Sequence, residues 1–163
     1  MTRIALFTAV ALLLNLLESL LPPLLPFAPG AKIGLSNLVT LLALVLLDYA
    51  DAFLILLLRC LLGSIFGGNY VALLYSVPAG VLSLTVQILL YHFCIRHVSI
   101  MGISFLGAVV HNATQVAVAS IMVQTNLMAM LPFMLLASIV AGLFVGITAF
   151  LLIKYLPRKV YAV

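Results

Sequence analysis

Two uncharged runs constrain this chain more than any other feature. No Asp, Glu, Lys or Arg occurs between Cys60 and Ile95, and none between His97 and Ile153. A soluble domain keeps about a quarter of its residues charged, because its surface must face water. Here charged residues make up 6% of 163, apolar residues 67%, and mean hydropathy is +1.43. Each spanning helix takes about 20 apolar residues, so the chain reads as an all-α integral membrane bundle of about six transmembrane helices. That is one transmembrane domain over residues 1–163, with no length left for a soluble catalytic domain.

Proline, glycine and the few charges punctuate the runs. The pattern predicts helices over about Ile4–Leu21, Gly34–Leu47, Ala52–Phe66, Val71–Ile95, Met101–Thr125 and Ala129–Tyr155. The first run ends in Pro22-Pro23 rather than a small-x-small cleavage site, so it is read as a retained helix. Pro78 falls within the fourth helix and Pro132 in the first turn of the sixth. The Pro-rich segment from Pro22 to Gly30 is too broken for a helix and too apolar for a free linker, and is expected to lie over the bundle as a lid.

Six spans put both termini on one side. Arg3, Arg96, Lys154, Arg158 and Lys159 then share that side, while Lys32 lies opposite. Basic residues concentrate in cytoplasmic ends, so both termini are expected in the cytoplasm, under a plasma membrane. The same bias accounts for the net charge of +4 without a nucleic-acid partner. Cys60 and Cys94 sit inside apolar runs and read as small packing residues, not as a disulfide or a metal site.

Several helices carry a stripe of small and polar residues at helical spacing: Thr8, Ala11, Asn15 and Glu18; Ser76, Gly80, Ser83 and Gln87; Ser104, Ala108, His111 and Gln115, with Asn112 beside them; Ser138, Gly142 and Gly146. Such faces are how membrane helices approach closely and pair their polar groups. Arg59 is a different case. A charge in mid-helix costs at least about 2.5–3.5 kcal/mol, so it must face the interior and meet a partner. Glu18 lies at a depth differing by roughly 6 Å and suits a structural pair; an anionic ligand is the other partner open to Arg59. Lys32, Asn37, Gly67, Gly68, Asn69, Ser76, His111, Asn112 and Gln115 are expected in the same half of the membrane. Arginine, lysine and amide donors together suit a phosphate or carboxylate, and glycines at a turn expose backbone N–H groups to it.

Catalytic signatures are missing from the sequence. Three carboxylates in all, of which only Asp48 and Asp51 are neighbours, are too few for an aspartate-rich metal–diphosphate site. The sequence also has no nucleophile elbow, zinc motif or nucleotide phosphate loop, and no cofactor or metal site is expected.

The runs Pro29–Asn37, Arg59 with Gly63 and Gly67-Gly68-Asn69, Tyr75–Gly80, and Gly107 through His111-Asn112 to Gln115 resemble the small membrane proteins called heptaprenyl diphosphate synthase component I, also known as the Gx transporter family. That family in turn resembles the substrate-binding S components of energy-coupling-factor transporters. The resemblance implies a six-helix S-component-like bundle with a ligand near its outer face, and a coupling subunit with two ATPases as partners. It also implies a docking patch on the first helix, where Ala5 and Ala9 stand at Ala-x-x-x-Ala spacing. Two functions follow as expectations. One is a substrate-binding subunit for a small anionic or phosphorylated ligand. The other is a non-catalytic membrane partner of a synthase that holds a prenyl diphosphate for isoprenoid-quinone synthesis.

Overall fold

The computed structural model describes residues 2–20, 34–68 and 70–156. Six α-helices follow in order: α1 Thr2–Leu20, α2 Leu35–Leu46, α3 Tyr49–Gly67, α4 Tyr70–Cys94, α5 Ile100–Val123 and α6 Leu131–Tyr155, the last entered through a 3-10 turn at Leu127–Met130. There is no strand among the described residues. Five of the six helices are long and apolar enough to cross a membrane. The exception is α2, whose 12 residues reach about 18 Å against a hydrocarbon core of about 30 Å.

Helix boundaries follow local chemistry. Gly34, at the N-cap of α2, has φ +82°, and Gly68, at the C-cap of α3, has φ +66°. Both values lie in the left-handed region, where a Cβ is strained. Ser99 caps α5 by accepting a hydrogen bond from the Gly102 N–H at 3.2 Å. α4 continues as one helix through Pro78.

One apolar cluster sets the topology. Leu41, Leu44, Ile55, Leu84, Ile103 and Ala149 form its buried centre. Ile4 and Phe7 from the start of α1, Phe53 from the start of α3 and Ile100 from the start of α5 pack on it, with Leu47 after α2 and Tyr91 late in α4. The starts of α1, α3 and α5 therefore share one end of the bundle with the ends of α2, α4 and α6. α2 is the central element: it packs on α1, α3, α4 and α6, and residues on all its sides are buried. Because it starts beside Arg59 rather than beside Gly67, it fills only the half of the bundle that holds this cluster.

The polar stripes become helix contacts. The Ser83 hydroxyl donates to the Gly107 carbonyl at 2.7 Å, joining α4 to α5, and the Ser104 hydroxyl donates to the Gly142 carbonyl at 2.9 Å, joining α5 to α6. A Cβ added to Gly142 would stand 2.8 Å from Phe105 Cα, and one added to Gly146 the same distance from Met101 Cα. Only glycine allows that approach, as in the small-residue interfaces common between membrane helices. Large apolar side chains point outward instead: Leu6, Leu13 and Leu17 on α1, Leu136, Val140 and Phe144 on α6. An apolar outer surface is what a lipid solvent requires.

Candidate binding cavity

Above the level where α2 begins, the bundle forms a cavity of about 450 Å³ lined by α1, α3, α4, α5 and the first turn of α2. That volume lies within the range of about 300–1,000 Å³ typical of small-molecule sites. Beneath it a smaller pocket of about 30 Å³ shares Gly34, Asn37, Arg59 and His111 with the larger space and reaches Thr40, Gln87 and Ser104. Room for about one or two waters is what such a volume provides. Leu56, Leu84 and Val145 of the apolar cluster line this pocket as well, so the polar interior stops at the apolar end.

Arg59 sits where the two spaces meet. Its position on α3 follows from spacing, since Ala52, Ile55, Leu56 and Arg59 recur at i, i+3, i+4 and i+7 and all are buried. The guanidinium Nη1 donates to the Ser36 hydroxyl at 2.7 Å and Nη2 donates to the Asn37 side-chain oxygen Oδ1 at 2.7 Å. Its Nε is buried without a hydrogen-bond partner. Both hydrogen-bond partners are neutral.

Glu18, expected as a structural partner, acts on Arg59 electrostatically but is not hydrogen-bonded to it. Its Oε1 accepts from the Gly34 N–H, while Oε2 is buried with no hydrogen-bond partner. The physical reason is α2. A helix start exposes N–H groups with no intrahelical acceptor, and its dipole favours a negative charge there. Glu18 is therefore held by the backbone entering α2, and Arg59 by the side chains of the first turn.

The other expected site residues divide. Asn37, Arg59, Gly67, Ser76, His111, Asn112 and Gln115 all line the cavity. His111 reaches both spaces with its Nδ1 buried and unpartnered. Asn112 also serves packing, because its amide nitrogen donates to the Met134 carbonyl at 3.2 Å and the Ser138 hydroxyl at 2.8 Å on α6. Gly68 caps α3 and is not among the lining residues. Lys32, Asn69 and the Pro22–Gly30 lid lie outside the described residues. Ala5 and Ala9 are exposed on α1, toward its start and away from the cavity. Asp48 and Asp51 stand at the start of α3, at the apolar end.

Sequence reasoning passed over Ser36, Asn15, Ser64 and Tyr75, which also line the cavity. Ser36 had a legible signal, as a hydroxyl beside Asn37 at the head of an apolar helix. Asn15 had one too, as an amide on the polar stripe of the first helix; in the structure a Cβ added to Gly63 would meet its side-chain amide.

Fold and cavity together define a multi-pass helical membrane protein with a polar, arginine-bearing interior at one end. A family model described as heptaprenyl diphosphate synthase component I matches residues 7–152, and the chain belongs to that family. No curated protein and no solved structure matches it, so the likeness to transporter S components gains no structural counterpart.

Proposed function

We propose that this protein is a non-catalytic membrane component of prenyl diphosphate synthesis that holds the diphosphate head of a prenyl diphosphate in the cavity. The observation that carries the reading is Arg59: a buried guanidinium with an unpartnered Nε, bonded only to neutral groups, on the wall of a cavity of ligand size. A guanidinium of this kind matches phosphate oxygens in charge and in the fork of its donors. His111, Gln115 and Ser76 supply further polar groups around it. The family description supports the choice of a prenyl diphosphate over other anions.

Arg3, Arg96 and Lys154 lie at the apolar end of the bundle, which supports cytoplasmic termini in a plasma membrane and a cavity in the outer half. The test is a titration of the detergent-purified protein with farnesyl diphosphate and with farnesol. Binding of the diphosphate alone is the expected result; equal binding of both would mean that the cavity recognises the isoprenoid and not the anion. Co-purification with a soluble aspartate-rich synthase would identify the partner.

A second reading, the substrate-binding subunit of an energy-coupling-factor-type transporter, draws on one observation. Ala5 and Ala9 present an exposed small-residue patch at the end away from the cavity. Replacing both with Leu should block capture of a coupling subunit and its ATPases while leaving ligand binding intact. Unaltered capture of a synthase by the double variant would set this reading aside.

A further inference from the structure

We infer that the small pocket beneath the cavity is a water site, whose occupant links the Gln87 amide on α4 to the guanidinium of Arg59 on α3. The inference rests on that pocket alone and stands whether or not the cavity takes a diphosphate. Gln87 lines the pocket and is 7% exposed, yet no described residue hydrogen-bonds its amide. Both amide atoms remain within reach of a water molecule, whereas the unpartnered Nε of Arg59 and Nδ1 of His111 are sealed in. Gly107 on α5 gives the amide its place, because a Cβ there would run into the Gln87 side chain. A buried amide left without a partner is destabilising, so one built into this position calls for a guest.

The pocket wall selects a guest that both donates and accepts. Thr40, Ser83 and Ser104 line it, and their hydroxyls donate to the backbone carbonyls of Ser36, Gly107 and Gly142 respectively. With its hydrogen spent, each hydroxyl offers the pocket only lone pairs. Asn37 and Arg59 offer the reverse. The Asn37 oxygen already accepts from Arg59, which leaves the amide N–H groups, and a guanidinium has more donors than Ser36 and Asn37 take up. A cation would suit the hydroxyl oxygens but be repelled by Arg59 in the same wall. An anion would suit Arg59 but meet the lone pairs. Water satisfies both sides, and a volume of about 30 Å³ holds about one or two molecules of it. Its role is to solvate the guanidinium from below, while the same residue lines the cavity above.

Radiolytic footprinting of the full chain in detergent and heavy-oxygen water, with no ligand added, tests the site. An X-ray pulse makes hydroxyl radicals from water where it stands, and these label the nearest side chains. Leu56 and Leu84 line the pocket but not the cavity, while Leu44 and Ile55 belong to the same apolar cluster and line neither. None of the four is more than 1% exposed, so the pocket is what distinguishes them. Leu56 and Leu84 should take up heavy oxygen severalfold faster than Leu44 and Ile55, at a rate that a radical scavenger in the bulk solvent does not change. Gln87→Leu removes the amide and should bring the two fast rates down to the slow ones. Equal labelling of all four residues in wild type would make the pocket dry and overturn the inference. Labelling that the scavenger abolishes would do the same, since its radicals come from outside. Fast labelling that persists in folded Gln87→Leu would remove Gln87 as the group that holds the water. If that variant does not fold, the wild-type comparison decides alone.

Discussion

Glu18 and Arg59 grip the same helix start from two sides and do not bind each other. The carboxylate accepts from the backbone N–H of Gly34, and the guanidinium donates to the side chains of Ser36 and Asn37. A direct ion pair would have used up both charges within the protein. Routing each through α2 leaves one buried atom on each group without a hydrogen-bond partner. Replacing Ser36 or Asn37 would therefore alter the site without touching a charge.

The Arg59→Met variant keeps most of the side-chain length and loses the donor fork. Pyrophosphate affinity should fall roughly tenfold to a hundredfold, corresponding to about 1.5–3 kcal/mol for a hydrogen bond to a charged group. Titration of the folded variant measures it. Wild-type affinity in Arg59→Met would make Arg59 a packing residue that only secures α2.

Close packing of α5 on α6 gives a prediction independent of any ligand. Gly142→Ala puts a methyl group 2.8 Å from the Phe105 backbone, which no side-chain rotation relieves. The cost should be about 1–3 kcal/mol, as for overpacked cores. Gly67→Ala, with nothing within 4 Å of the added Cβ, should stay within about 0.5 kcal/mol of wild type. Thermal unfolding in detergent compares the two. Equal stability of both variants would show that α5 and α6 can separate freely at Gly142.

Orientation is read by cysteine labelling in a background lacking Cys60 and Cys94. Thr125, between α5 and α6, and His97, between α4 and α5, are both exposed and at opposite ends of the bundle. In intact cells an impermeant thiol reagent should modify Thr125→Cys and spare His97→Cys. The reverse pattern would turn the cavity toward the cytoplasm.

Much of this architecture was legible before any coordinate. Membrane residence follows from composition, since ten charges cannot coat a globule. Apart from the end of α5, the helix boundaries lie within a few residues of the Pro, Gly or charge that signalled them, because such signals act through the local backbone. The stripes on α1, α4, α5 and α6 were visible as spacing, and Arg59 had to face inward because lipid does not solvate a guanidinium. Spacing shows which residues share a face, but not which helix that face meets or at what depth. Those are relations between helices, fixed only when all of them pack. Tertiary structure alone decided that α2 stops at the level of Arg59, so that its first turn, and not Arg59, receives Glu18. It also decided that the donors of Asn112 go to α6, and that Ser36, Asn15 and Tyr75 join the cavity wall. The physical cause is the short central helix: filling only the apolar half of the bundle, it leaves the other half lined by polar groups that must share a cavity.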